Sequence, residues 1–165
     1  MLCTTYIKQY ARQGRVLRYM KLINDGIDQY ESIAELSSFA EKTNDMTTYV
    51  RLADMLSQLK ISFPSTTPWL ETCKIDYFNK MKSAVDKYAA ALTDSEKLSI
   101  LKQMGTINHS YGDHGKALKN WLACLEFCKS PAQHYEIYTA IIRSNLYLER
   151  FHCRQPRGAY EFHSK

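Results

Sequence analysis

Apolar residues recur along most of the chain at spacings of three and four, which is the period of a helix buried on one side. Glycine and proline occur at only a few points, so the long segments between them favour helices over short strands. The first predicted helix ends near Gly26. Its apolar stripe contains Val16, Met20, Ile23 and Ile27.

Two more helices are predicted before residue 60. The second spans Asp28 to Lys42, with an expected stripe of Tyr30, Ile33, Ser37 and Ala40. The third follows Asn44-Asp45, whose side-chain oxygens can accept a backbone N–H that a first helical turn leaves unpaired. Its expected stripe contains Tyr49, Leu52, Ala53, Leu56 and Leu59.

Residues 61–68 form the clearest loop, because Pro64 and Pro68 forbid a continuing helix. They divide the chain into residues 1–60 and residues 68–150. Thr67 is predicted to be the N-cap and Pro68 the first residue of the longest helix, which should reach about Ala91. This helix carries one narrow seam, and its other faces are predicted to be largely polar. The seam contains Leu70, Cys73, Tyr77, Met81, Ala84, Tyr88 and Ala91.

The next segment begins with a capping box, Thr93-Asp94-Ser95-Glu96, and reads as a helical hairpin. The predicted helices span Leu98 to Tyr111 and Lys116 to Cys128, joined by the turn Gly112-Asp113-His114-Gly115. Residues at the offsets of a tetratricopeptide-like repeat are Leu101, Met104, Gly105, Gly112, Asp113, Ala117, Leu118, Trp121, Cys124 and Leu125. Gly105 and Ala117 should let the helices approach, and Trp121 should fill the space between them. Asn108 stands where such repeats prefer an aromatic side chain.

A last helix should open at Ser130-Pro131-Ala132-Gln133, with a serine cap and a reciprocal glutamine. Its predicted stripe, which we expect to stack on the hairpin, is Tyr135, Tyr138, Ile142 and Leu146. Residues 151–165 lose helical periodicity, and we expect a tail that is disordered or loosely docked. The prediction is therefore an all-α, tetratricopeptide-like helical-repeat solenoid over residues 1–150, because one repeat cannot bury its own apolar face.

Composition agrees with a folded chain of 165 residues, with 45% hydrophobic and 24% charged residues. The N-terminus lacks an apolar stretch of signal-peptide or membrane-spanning length, so we expect a protein of the cytoplasm and nucleus that binds no membrane. The cysteine number is odd and the spacings are wide, which predicts free thiols in a reducing compartment. These cysteines are Cys3, Cys73, Cys124, Cys128 and Cys153.

No glycine-rich phosphate loop, Cys-x-x-Cys or His-Glu-x-x-His motif is present in the sequence. Cys124 and Cys128 share a helical face near His134, but they occupy small-residue repeat positions, which favours packing over a metal site. His109 and His114 flank the hairpin turn without a nucleophile and carboxylate at motif spacing. We therefore expect no catalytic residue, no cofactor and no metal, and predict that the chain is not an enzyme.

The net charge of +5 is a mild basic excess. Its densest part is the N-terminal segment, where Lys8, Arg12 and Arg15 share one helical face among tyrosines. A solvated face beside a packing face is the favoured interpretation. The alternative is an interaction patch for an acidic protein surface or for nucleic acid, which is the less favoured partner.

Several runs in the C-terminal half occur in the order and spacing of a known family: Met104-Gly105, Tyr111-Gly112-Asp113, Ala117-Leu118-Lys119, Glu126-Phe127-Cys128, Ile141-Ile142-Arg143 and Leu146-Tyr147-Leu148. Upstream, the matching features are Tyr10, Arg15-Val16-Leu17-Arg18, Leu22-Ile23 and Pro68-Trp69. Between Tyr6 and Arg150 the chain thus resembles the family of the first subunit of the COP9 signalosome and its proteasome-lid counterpart.

The resemblance implies a right-handed helical solenoid followed by a winged-helix PCI domain, through which subunits assemble. It also implies a non-catalytic scaffold in the complex that deneddylates cullin-RING ubiquitin ligases, where a different, metal-dependent subunit carries the isopeptidase activity. Expected partners are other signalosome subunits and cullin-RING ligases, or lid subunits of the proteasome regulatory particle as the alternative. The PCI domain is missing from this chain and the tail departs from the family, so we expect an N-terminal piece of such a subunit.

Overall fold

The computed structural model describes residues 6–10 and 12–152, without the side chains at 12, 13 and 149–152. Within these ranges the chain is all-helical and contains no strand, which confirms the predicted class. The elements are α1 (Arg12–Asn24), α2 (Gln29–Lys42), α3 (Met46–Gln58), α4 (Pro68–Ala90), α5 (Asp94–Ser110), α6 (His114–Cys124), a 3-10 turn (Leu125–Phe127) and α7 (Pro131–His152). Residues 151–152 complete α7, whereas the rest of the predicted tail, with Cys153, and the N-terminal Cys3 lie outside the described residues.

The helices pack against their neighbours in sequence, from α1 on α2 through to α6 on α7, most extensively between α5 and α6 and least between α3 and α4. The core is consequently a series of clusters along the chain rather than one centre. The first cluster joins α1, α2 and α3 and contains Ile7, Val16, Tyr19, Ile23, Leu36, Leu52 and Leu56. The last joins α5, α6 and α7 and contains Leu98, Leu101, Ala117, Trp121, Cys124 and Ile137.

The predicted stripes of α1 and α2 are only partly correct. Val16 and Ile23 are fully buried, but Ile27 is half exposed because α1 ends and the chain turns at Gly26, where φ is +71°. In α2 the buried face consists of Ser32, Leu36 and Ala40. Tyr30, expected in that stripe, is exposed in the first turn of the helix.

Helix α3 begins as predicted, because the Asp45 side chain accepts a hydrogen bond from Thr48 N at 3.0 Å. Tyr49, Leu52 and Leu56 are buried, whereas Leu59 is the C-cap and is partly exposed. The loop before α4 is held against α3: the Tyr49 hydroxyl donates to the carbonyl of Pro64 at 3.1 Å. The Tyr49 ring also packs between Phe63 and Trp69, each with a ring-centroid distance of 5.4 Å.

The loop does not separate the two halves of the chain in space. The hairpin turn lies on the start of α3, where the Thr47 hydroxyl donates to the carbonyl of Tyr111 at 3.5 Å. On α4, the Cys73 thiol lies 3.6 Å from Oδ1 of Asn44. The start of α3 therefore contacts both the long helix and the hairpin.

Candidate protein-interaction site

Helix α5 begins at the predicted capping box, with Thr93 Oγ1 accepting from Glu96 N at 3.2 Å and Glu96 Oε2 accepting from Thr93 N at 2.9 Å. The turn after α5 is shorter than predicted. Asp113 is the N-cap of α6 and accepts from Lys116 N at 2.9 Å, so His114 and Gly115 already belong to the helix. Helix α6 then ends at Cys124, and a 3-10 turn follows where the prediction continued the helix.

Three of the predicted repeat residues, Gly105, Ala117 and Trp121, come together where α5 crosses α6. Gly105 lies against the Trp121 indole, and a Cβ at position 105 would come within 2.7 Å of Cε2 of that ring. Trp121 is buried, at 8% exposure, and Ala117 is completely buried in the same cluster. The absence of a side chain at Gly105 is therefore what allows the indole to lie flat against α5.

Two features of the structure require a glycine at position 112. Its φ is +86°, a left-handed conformation that L side chains rarely adopt. A Cβ there would also overlap Oδ1 of Asp45 and lie 3.0 Å from its Cγ. Since the Asp45 carboxylate is fixed by capping α3, it cannot readily move away.

The buried Asn108 side chain in α5 is hydrogen-bonded to a tyrosine of α4. Asn108 is 1% exposed, and its Oδ1 accepts a hydrogen bond from the Tyr77 hydroxyl at 2.8 Å. Asn108 is the departure from the repeat pattern, and no local sequence pattern identifies a hydrogen-bond partner 31 residues away. It thus contributes a buried hydrogen bond where a repeat usually has an aromatic contact.

Beside that hydrogen bond, the Tyr111 hydroxyl donates to Asp76, which Lys80 approaches at 2.6 Å. The Lys80 ammonium and the Tyr111 hydroxyl lower the pKa of Asp76 by hydrogen bonding to its carboxylate. Burial, followed by the hydrogen bond to Asp76, raises the pKa of Tyr111. The group connects α4 to the end of α5.

An open groove of about 410 Å³ lies between α5 and α7, with Trp121 of α6 among its lining residues. Thr106 and His109 line it from α5, and Thr139 and Arg143 line it from α7. At its edge, Lys102 and Glu136 form an ion pair of 2.6 Å between the two helices. Arg143 has no ion-pair partner within the described ranges, so this groove presents a positive charge beside an aromatic ring.

Helix α7 is apolar on two opposite faces, and the predicted stripe is the wrong one. The helix packs on the hairpin through Ile137 and Ser144, helped by the half-buried Ala140 and Ile141. Tyr135, Tyr138, Ile142 and Leu146 are 77%, 51%, 59% and 51% exposed, respectively. We call these four residues the outer face of α7. Both faces have helical spacing, so periodicity alone could not identify the buried one.

The N-terminal cap of α7 is as predicted. Ser130 Oγ accepts a hydrogen bond from Gln133 N at 3.3 Å, and Gln133 Oε1 accepts one from Ser130 N at 3.1 Å.

Two cations of the proposed basic patch, Lys8 and Arg15, are engaged with the protein itself. Lys8 forms an ion pair of 2.7 Å with Glu35 of α2. The Arg15 guanidinium lies 4.9 Å from the Phe39 ring centroid and donates to the carbonyl of Lys8. The Arg12 side chain lies outside the described residues. Lys8 and Arg15 thus hold the N-terminal segment on α2, and the role of this patch in binding stays a prediction.

The cysteines and histidines of the hairpin are packing groups. Burial raises the pKa of the Cys124 thiol to about 12, and the Cys128 thiol donates to the carbonyl of Cys124 at 3.3 Å. His109 and His114 approach each other at 3.2 Å between their Nδ1 atoms, with the Tyr147 ring against both. Among the residues that the structure describes, no three potential metal-ligating side chains come together. None of the helices searched there has the length and apolar character needed to cross a membrane.

No model of a known protein family matches the chain, and no curated protein is significantly similar to it. The groove between α5 and α7 and the outer face of α7 combine exposed aromatic and aliphatic side chains with one unpaired cation. Such a surface is suited to binding another polypeptide.

Proposed function

We propose that the chain is a non-catalytic scaffold that binds other proteins through the groove between α5 and α7 and the outer face of α7. The observation that carries this proposal is the two-sided apolar character of α7. Ile137, on one face, is 1% exposed, whereas Ile142, on the opposite face, is 59% exposed. Contiguous exposed apolar side chains mark an interaction surface in a folded protein.

The same proposal includes a tetratricopeptide-like solenoid. Consecutive packing of the helices and the close crossing of α5 and α6 at Gly105 both support it. In a stacked array, an internal helix is apolar on two faces because it packs on the helix before it and the helix after it. The outer face of α7 then has the character of a stacking surface.

The resemblance in sequence identifies the partners that we propose. The chain would be a scaffold piece of the first subunit of the COP9 signalosome and would bind neighbouring subunits or cullin-RING ligases, in the cytoplasm and nucleus. The proteasome-lid counterpart is the alternative within the same class. The two assignments predict different partners, so reconstitution can separate them.

The test is co-purification of the tagged full chain with recombinant signalosome subunits and, separately, with recombinant lid subunits. We expect comigration with signalosome subunits, lost in Ile142→Glu because a carboxylate then occupies the outer face. Val50→Glu is the matched control, since Val50 is an exposed apolar residue of α3. Comigration with lid subunits alone would assign the alternative, and comigration with neither set would contradict both.

A nucleic-acid-binding array is the candidate from another class. It would use Lys8, Arg12 and Arg15, but Lys8 is ion-paired and Arg15 lies on Phe39. Binding to random-sequence RNA, measured by fluorescence anisotropy over a salt series, tests it directly. Affinity that falls steeply with salt and is reduced by Lys8→Ala would favour this candidate over the scaffold.

A further inference from the structure

Helix α4 carries a second, largely apolar stripe on a side that was predicted to be polar. We call it the second seam; it consists of Ile75, Phe78, Lys82, Val85 and Ala89. All five side chains are exposed, with Ile75 at 62%, Phe78 at 64% and Val85 at 49%. With Lys82 counted as the one charged member, the spacings alternate between three and four, which is the pattern of a helix that pairs along its length with another helix.

The second seam is separate from the packing of α4 within the chain. Helix α4 is buried through Leu70, Cys73 and Ala84, which lie about 120° around the helix from the second seam at 100° per residue. From Ile75 to Ala89 the seam extends about 21 Å, or four turns. Three large apolar side chains on one exposed line are uncommon on a monomeric surface and mark a contact with another polypeptide.

The order of residues in the second seam is self-complementary when two copies run antiparallel. With the two-fold axis between positions 82 and 85, Phe78 lies opposite Ala89 of the second copy. The large ring then fills the space left by the small methyl group, and the contact occurs twice. Val85 and Lys82 of each copy meet next to the axis, since their numbers have the same sum as those of Phe78 and Ala89.

Charge selects the orientation. Lys82 is in the middle of the second seam, and Asp86 follows one turn later; neither has an ion-pair partner within the described ranges. In an antiparallel pair, Lys82 lies opposite Val85 of the second copy, within reach of the adjacent Asp86. The same ion pair forms on both sides of the axis. In a parallel pair in register, Lys82 would face Lys82, which is repulsive.

We propose that two copies of this chain associate through an antiparallel pairing of their α4 helices along the second seam. Four turns of helix bury little area, at or below the roughly 1,200 Å² of weak complexes. The dimer is therefore reversible, with a Kd in the micromolar range or weaker. This proposal is independent of the groove and of the outer face of α7.

Sedimentation equilibrium of the full chain over a range of concentrations is the first test. We expect a monomer–dimer equilibrium, weakened at least about ten-fold by Lys82→Glu or by Asp86→Lys, because each change places like charges together twice per dimer. The double variant Lys82→Glu/Asp86→Lys should restore dimerisation. A monomer at every concentration, or a dimer whose Kd is unchanged by both charge reversals, would overturn the proposal.

A photo-crosslinking residue in place of Phe78 tests the register. In mixtures of isotope-labelled and unlabelled protein, we expect mixed-isotope crosslinks to residues 85–92 of the second copy. Crosslinks to residues 75–82 would mean a parallel pair and would overturn the antiparallel assignment. A mixed-isotope crosslink requires one labelled and one unlabelled chain, so a crosslink within one chain cannot imitate this result.

Two variants separate this proposal from the proposed scaffold function. Phe78→Glu should abolish dimerisation while leaving the copurified signalosome subunits in place. Ile142→Glu should lose those subunits and keep the wild-type dimer Kd. Circular dichroism confirms that each variant is folded, and loss of dimerisation in folded Ile142→Glu would contradict the assignment of the contact to α4.

Discussion

Gly112 lies against the carboxylate of Asp45, 67 positions earlier in the chain, and brings the hairpin turn onto the start of α3. Two separate requirements meet at this contact. Asp45 must accept the Thr48 N–H to begin α3, and Gly112 must adopt a positive φ to join α5 to α6. The contact links helices on both sides of the proline-containing loop, so its loss should affect the whole fold.

Gly112→Ala should lower the free energy of unfolding by about 2–4 kcal/mol, from the strained φ together with the overlap at Asp45. Chemical denaturation measures the change. Gly115→Ala is the matched control, because its Cβ would meet nothing closer than 3.8 Å and its position is helical. That variant should be neutral or more stable by up to about 1 kcal/mol. Equal losses in the two variants would contradict the assignment.

Substitution of either residue in the contact between Gly105 and Trp121 should lower the free energy of unfolding. Trp121→Ala should cost about 3–5 kcal/mol by leaving a cavity. Gly105→Ala should cost about 1–3 kcal/mol by pressing a methyl group into the indole. Replacing Trp121 by Leu should reduce the cost of Gly105→Ala, because the ring that it strikes is gone. Costs that simply add in the double variant would mean that the two residues do not share this contact.

The two faces of α7 should respond differently to the same truncation. Ile137→Ala should cost about 2–5 kcal/mol, because Ile137 is 1% exposed in the last core cluster. Ile142→Ala should change the free energy of unfolding by less than about 0.5 kcal/mol, since Ile142 is 59% exposed. Urea denaturation of both variants provides the comparison. A larger loss at Ile142 would reverse the assignment of the faces.

The capping box of α5 should make the free energy of unfolding depend on pH in the acidic range. Hydrogen bonds from Thr93, first from its backbone N–H, and from the Leu92 N–H lower the pKa of Glu96. This stabilisation is complete above the unfolded pKa, about 4.3, and is lost as the pH falls through the lower folded pKa. Unfolding free energies at pH 6 and pH 3 should therefore differ more in the wild type than in Glu96→Gln. Glu126→Gln is the control and should keep the wild-type difference.

The Cys124 thiol should resist alkylation in the folded protein. With a pKa of about 12, only on the order of one thiol in ten thousand is ionised at pH 8. Mass spectrometry after brief iodoacetamide treatment at pH 8 should find Cys128 labelled before Cys124, because Cys128 is only partly buried. In denaturant the two rates should become similar. Faster labelling of Cys124 in the native protein would contradict its burial.

Features that depend on residues close in sequence could be predicted. The caps at Asp45, Thr67, Thr93 and Ser130 are where the sequence placed them, because a cap joins residues three positions apart. Gly26 at the end of α1 follows from the same local rules. The wrong prediction at Gly115 is also local. A turn is predicted there, but Asp113 caps α6 and the helix begins earlier, at His114.

Sequence patterns were sufficient to predict the helical class of the described residues, the start of most helices, the buried seam of α4 and the burial of Trp121. The covered face of α7, the second apolar stripe of α4 and the hydrogen bond from Tyr77 to Asn108 became evident only from the packing of the helices. Helical periodicity is a property of one segment, whereas burial depends on where a neighbouring helix lies. Two apolar stripes on one helix satisfy the period equally well, and only packing distinguishes them.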